Sequence, residues 1–192
     1  MLKIALIIGS TRPNRFADHP AKWMADGAKA RSDLSIDVLD LRDYPLPFFN
    51  EPAPPLYSPG GTYHEPAADA WRQKIGTYDG YIATVAEYNH GPTAVLKNAF
   101  DSAFFEWNRK PIAFVGHGGA GGARAIEHLR GVAIELQMAP IKHEVNIARE
   151  PYLGVLQGKS LEDFTYLNEA RTALFDHLVW WGNALKAARQ AA

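Results

Sequence analysis

The chain has 192 residues, 47% of them hydrophobic and 21% charged, with a formal net charge of −1. That balance suits one domain with a sizeable core, residues 1–192, and gives no electrostatic reason to expect nucleic acid or an anionic membrane as a partner. Cysteine is absent, which excludes disulfides, iron–sulfur ligation and thiol catalysis, so a redox function has to borrow a cofactor.

The first apolar run, Ile4–Ile8, is too short for a secretion signal and far short of the roughly 18 residues a membrane span needs, which predicts a cytoplasmic protein. Five runs read as buried strands, because each is apolar or β-branched and bounded by breakers: Lys3–Ile8, Ser35–Asp40, Gly80–Val85, Ile112–Val115 and Ile141–Ile147. Helical spacing predicts helices over Pro13–Lys29, Pro92–Phe105, Gly122–Gln137 and Thr165–Ala188. Strands alternating with helices imply a parallel sheet covered on both faces: an α/β three-layer sandwich with five strands in the flavodoxin-like order 2-1-3-4-5. Ligands in such sheets sit at the carboxyl ends of the strands, so the residues after Ile8, Val85 and Val115 are where chemistry belongs.

One stretch breaks the rhythm. Tyr44–Glu65 is rich in proline and aromatic residues. A loop of about twenty residues in a compact domain reads as a lid or rim over a site, or an element of a subunit interface, and equally as a plain surface excursion.

Three strand exits carry the candidate site. After the first strand come Gly9, Ser10, Thr11, Arg12, Pro13, Asn14 and Arg15. Ser10 and Thr11 offer hydroxyls, Arg12 and Arg15 can grip phosphate oxygens, and Pro13 suits a helix start whose free N–H groups attract an anion. The Gly-Lys-Ser/Thr ending of a Walker loop is missing. After the third strand come Glu87, Tyr88, Asn89 and His90, polar groups at the ligand-binding edge that read equally well as a turn before the next helix. After the fourth strand, Gly116–Gly122 holds five glycines besides His117 and Ala120, letting backbone N–H groups approach a ligand. It formally contains G-x-G-x-x-G, so a nicotinamide-binding Rossmann protein is an alternative. The motif follows the fourth predicted strand, however, not the first strand of its unit. No G-x-S-x-G elbow, H-E-x-x-H motif or histidine spacing suggests a hydrolase or a metal site.

Glu87-Tyr88-Asn89 followed by Leu96-Lys97-Asn98-Ala99, the Gly9-Ser10-x-Arg12 loop, and the glycine-rich turn before Ala123-Arg124 occur in order on the matching strands. With these motifs the chain resembles the NAD(P)H-dependent FMN reductase family of flavodoxin-like proteins, from Ile4 to about Ile147. The resemblance implies that Ser10, Arg12 and Arg15, assisted by Thr11, bind the phosphate of FMN. It implies that Glu87, Tyr88, Asn89 and His90 line the isoalloxazine edge, largely through backbone atoms, and that N–H groups around Gly118, Gly119 and Gly121 face its N1–O2 end. NADPH or NADH is then the co-substrate, no protein nucleophile is needed, and the acceptor is a flavin, a quinone, an azo compound or a metal oxyanion. The implied assembly is a homodimer or homotetramer, to which Phe104, Phe105, Trp107, Trp180 and Trp181 are candidate interface residues. Ala86, Thr93, Arg15 and His117 depart from the family's usual residues. A flavodoxin-type electron carrier is the rival, against which Arg12, Arg15 and the near-neutral charge speak.

Overall fold

In the first strand, β1 (Leu2–Ile8), successive side chains leave on opposite faces of the sheet, and both faces are buried. Leu2, Ile4, Leu6 and Ile8 join one hydrophobic cluster while Ala5 and Ile7 join another. This double burial is why the strand reads as a continuous apolar run instead of an alternating one. The computed structural model describes residues 1–58, 60 and 63–191. Parts of the Tyr44–Glu65 stretch, residues 59, 61 and 62, therefore lie outside the described residues, as does residue 192.

The other strands are β2 (Leu34–Asp40), β3 (Gly80–Ala86), β4 (Pro111–His117), β5 (Ala139–Pro140) and β6 (Val145–Ile147). All pair in parallel, in the order β2-β1-β3-β4, and β5 and β6 share the fifth position beside β4. The order 2-1-3-4-5 is the one the sequence predicts. The single strand predicted over Ile141–Ile147 is instead broken. Its carbonyls at Ile141 and Lys142 turn out of the ladder and accept from the Arg130 guanidinium at 2.9 and 3.1 Å, and Arg130 also pairs with Glu144 at 2.6 Å. A side chain thus replaces the neighbouring strand as donor.

Helices cover the two faces. α1 (Asp18–Ala28), α5 (Arg149–Leu156) and α6 (Thr165–Gln190) lie on one, where Met24, Leu174, Phe175 and Leu178 pack on the β1 side chains. α2 (Pro66–Gly76), α3 (Ala94–Asp101) and α4 (Ala123–Glu135) lie on the other, around Trp71, Phe100, Phe114 and Leu129. α2 and α5 are absent from the sequence-based expectation. α2 follows the proline-rich stretch that reads as loop, and α5, of only eight residues, follows directly on the last strand.

The predicted helix over Pro13–Lys29 starts late, at Asp18, because Asn14 adopts a left-handed φ of 51° and closes a turn first. Leu96 and Phe100 of α3 are fully buried as expected, but α3 ends at Asp101, and Phe104 and Trp107 turn back into the core. The Trp107 indole donates to the Phe100 carbonyl at 3.2 Å. Only Phe105, Trp180 and Trp181 among the candidate interface aromatics are exposed. No helix among the described residues is long and apolar enough to cross a membrane.

Candidate functional site

The ends of β1, β3 and β4 converge, and close backbone approach fixes how. At Gly9 a Cβ would lie 2.3 Å from the Thr84 carbonyl oxygen, so only glycine lets the first loop pass over β3. The Gly9 N–H donates to the Thr84 hydroxyl at 3.1 Å, and the Thr93 hydroxyl donates to the Gly9 carbonyl. Thr93 also accepts from the Leu96 N–H at 3.2 Å as the N-cap of α3. One threonine thereby ties the first loop to the helix beside it.

In that loop Ser10 is buried and its hydroxyl lies 3.2 Å from the Tyr88 hydroxyl. The Arg12 guanidinium stands 6.0 Å from the Tyr88 ring centroid and makes no ion pair among the described residues. Arg15 is different. The sequence assigns it to a ligand phosphate, but its side chain is buried and committed elsewhere. It pairs with Asp40 at the end of β2, donates to Asp18 at 2.8 Å, and donates to the Ser10 carbonyl. Burial opposes its charge, yet the hydrogen bonds to Asp40 and Asp18 raise its pKa overall, and Arg15 in turn holds the Asp40 carboxyl below its ordinary range. Arg15 braces the loop. The helix N-terminus expected beside Ser10 is also displaced, since α1 begins only at Asp18. The loop therefore lines its cavities with side chains, Ser10, Thr11 and Arg12 together with the carboxylate-paired Arg15.

The second loop is a tight two-residue turn. The N–H of Tyr88 donates to the Gly91 carbonyl at 2.9 Å, and the Gly91 N–H returns the bond at 3.0 Å. Between them Asn89 and His90 take left-handed φ values of 51° and 69°, a pairing typical of a turn with both central residues left-handed. Two such non-glycine residues side by side carry strain that their surroundings have to hold. Arg124 of α4 does so: it donates to the Glu87 carboxylate through its backbone N–H at 3.2 Å and through Nε at 2.7 Å, and its Nη1 lies 2.9 Å from His90 Nε2. Burial acts against the Glu87 charge, but Arg124 outweighs it and lowers the pKa. The Glu87 side chain is therefore engaged, and its backbone N–H donates to the His117 carbonyl at 3.3 Å.

The third loop holds the glycines. Gly118 has φ 140° and Gly121 has φ 65°, conformations that side chains rarely adopt. At Gly122 a Cβ would come within 2.7 Å of Gly116 Cα, which packs the start of α4 against β4. The Gly121 N–H donates to the Gly118 carbonyl at 3.0 Å, and the Gly118 N–H makes a long 3.4 Å bond to Ile147. Gly119 faces open space.

These loops border two cavities. The larger, about 570 Å³, runs along Ser10, Thr11, Arg12 and Tyr88 to Thr93, Val95 and Asn98, with Leu46, Pro47 and Phe48 on its far wall. The smaller, about 160 Å³, lies among Ser10, Arg12, Arg15, Phe16, Glu87, His117, Gly118 and Tyr152. The proline-rich stretch thus forms a rim of the site. Asn98 fastens it, donating to the Pro47 carbonyl at 2.9 Å and accepting from the Phe49 N–H at 2.9 Å. Sequence reasoning leaves Thr93, Asn98 and His117 out of the site. The Leu96–Ala99 motif and the polar residue ending an apolar strand were the available signals.

A parallel sheet whose first loop meets the third and fourth strand exits around a cleft defines a flavodoxin-like protein, a class in which ligands sit at the strand ends. A family model for the NADPH-dependent FMN reductases matches residues 2–151. The chain belongs to that family. Among its relatives, an NAD(P)H-dependent FMN reductase of Schizosaccharomyces pombe is 31% identical over 173 residues, covering 89% of this chain and 86% of the relative. A 2-hydroxy-1,4-benzoquinone reductase from a Burkholderia species is 36% identical over 145 residues, covering 71% of this chain and 73% of the relative. In fold, the chain is similar to the flavoenzyme NAD(P)H:(acceptor) oxidoreductase of Paracoccus denitrificans, with TM-score 0.73, 20% identity, and 96% and 98% of the two chains covered.

The protein is accordingly an oxidoreductase with FMN as cofactor and NAD(P)H as co-substrate. The residues present suit that group: an arginine without a carboxylate partner, two hydroxyls, an aromatic ring, and a glycine loop with an open face.

Proposed function

We propose that the cleft over β1, β3 and β4 holds FMN with its phosphate on Ser10, Thr11 and Arg12, and that residues 1–192 form one FMN-binding domain. Arg15 serves this site by fixing the Ser10 carbonyl and the loop around it. The isoalloxazine edge lies along the backbone of Glu87, Tyr88, Asn89 and His90, and the Gly118, Gly119 and Gly121 turn meets its N1–O2 end chiefly at Gly119, since the Gly118 and Gly121 N–H groups are bonded within the protein. Bound there, FMN supplies reversible hydride acceptance, and backbone dipoles from the glycine turn favour the charge that reduction places on the ring. The protein's own part is to orient the ring, keep water from it and leave one face open to the nicotinamide. The acceptor is a small molecule, with a quinone favoured because several relatives carry quinone reductase names. The protein acts in the cytoplasm as a homodimer or homotetramer. The exposed Trp180 and Trp181 support an interface on α6.

The observation that carries the reading is the uncompensated Arg12 beside the buried Ser10 hydroxyl at a strand exit. An anaerobic absorbance spectrum of the protein with FMN, before and after NADPH or NADH, tests it. The flavin band bleaches on mixing with the nucleotide; a band that stays unchanged with both would sink the proposal.

A further inference from the structure

His117 ends β4 with a buried imidazole whose Nε2 has no hydrogen-bond partner among the described residues. A buried polar nitrogen left unpaired costs free energy, so such an atom at a strand exit needs an explanation. The ring lines the smaller cavity together with Ser10, Arg12 and Arg15, with Nε2 itself covered in the free protein. Phe16 packs 5.2 Å from it, centroid to centroid, and Tyr152 lies in turn on Phe16 at 4.3 Å.

We propose that His117 is a third leg of the phosphate site, donating a ring N–H to a phosphate oxygen of the bound nucleotide beside Ser10 and Arg12. This rests on the placement of the FMN phosphate in the first loop.

Three observations lead there. The cavity of about 160 Å³ is too small for an isoalloxazine but roomy enough for a tetrahedral oxyanion. Its wall brings together the Ser10 hydroxyl, the His117 imidazole and two guanidinium groups, Arg15 paired with Asp40 and Asp18 and Arg12 with no carboxylate partner among the described residues. The nearby carboxylates that would repel an anion are already engaged, Asp40 and Asp18 by Arg15 and Glu87 by Arg124. Burial, with the Arg12 charge adding to it, pushes the His117 pKa down to about 4, so the ring is neutral at pH 7. A neutral imidazole still carries one N–H, and it donates without first taking up a proton.

The test compares FMN with riboflavin, which lacks the phosphate, by flavin fluorescence titration of the flavin-free protein. His117→Phe fills the same space without a donor and weakens FMN roughly ten- to hundred-fold, the range for a hydrogen bond to a charged group, while riboflavin affinity stays unchanged. His117→Gln, which keeps an N–H, restores most of the FMN affinity. Equal loss of both flavins in His117→Phe would show a ring or packing role and overturn the proposal, as would unchanged FMN affinity. Independently of any variant, the ¹⁵N ring signals of His117 in the wild-type protein shift on adding FMN or inorganic phosphate but not riboflavin. No shift with either phosphate overturns the inference too. Arg12→Ala separates the two levels. If it leaves FMN affinity intact, the phosphate loop itself is misplaced; if it weakens FMN and His117→Phe does not, only the role of His117 fails.

Discussion

Arg12 and Arg15 are three positions apart and chemically identical, yet they do opposite work. Arg15 is buried against two carboxylates, so its charge is spent inside the fold, whereas Arg12 makes no ion pair among the described residues and is the proposed phosphate contact. Arg12→Ala is expected to weaken FMN binding by about 1–3 kcal/mol with little change in stability, read by fluorescence titration and thermal unfolding. Asp40→Asn should do the reverse first. It leaves the buried Arg15 short of a partner and lowers stability by about 2–3 kcal/mol, below the full value for a buried pair because Asp18 remains and Asp40 is partly exposed. His117 adds a pH signature to the flavin-free protein. Its pKa falls from an ordinary 6.5 to about 4 on folding, so the unfolded chain binds the proton first. Its stabilising share is complete above about pH 6.5 and drains away as the pH falls toward 4, on the order of 3 kcal/mol in all. Denaturant unfolding of wild type and His117→Phe between pH 4 and 7 checks this: the wild type should lose stability relative to the variant as pH falls. Parallel curves would contradict it.

At the scale of elements, the site is assembled by ties between neighbours. Thr93 caps α3 and holds the Gly9 carbonyl, Arg124 at the start of α4 holds the strained Asn89–His90 turn, and Asn98 of α3 holds the rim at Pro47 and Phe49. Thr93→Val, close in shape but without the hydroxyl, is expected to cost about 1–2 kcal/mol through the lost cap and bond. It should also loosen FMN binding, since the first loop loses its anchor. Equilibrium unfolding and flavin titration on the same variant show whether the two losses travel together. The sequence motifs Glu87–Asn89 and Leu96–Ala99 were legible as site elements. That Glu87 faces Arg124 and Asn98 faces the proline-rich rim was not, because both partners are more than thirty residues away in the chain. The late start of α1 was hidden for a local reason: Pro13 signals a helix, and only the left-handed Asn14 reveals that a turn comes first.

For the whole molecule, the parallel sheet places three loops from distant parts of the chain on one edge and leaves α6 with Trp180 64% exposed and Trp181 38% exposed. Sedimentation at micromolar concentration is expected to show a dimer or tetramer, with Trp180→Glu shifting the distribution toward monomer; a wild-type monomer would refute the interface. Sequence alone determined the architecture: five apolar runs separated by amphipathic helices, buried on both faces, leave a doubly covered parallel sheet as the packing that hides them all. It also named three strand exits, rich in glycines and polar groups, as candidate loops. Tertiary structure decided which of their side chains are free. Arg15 and Glu87 are neutralised inside the fold, Phe104 and Trp107 belong to the core, and His117 is left buried with an unpaired nitrogen. Strand and helix patterns arise from the spacing of neighbours along the chain, whereas the partner of a charge or a buried nitrogen is set by whatever distant segment the fold brings against it.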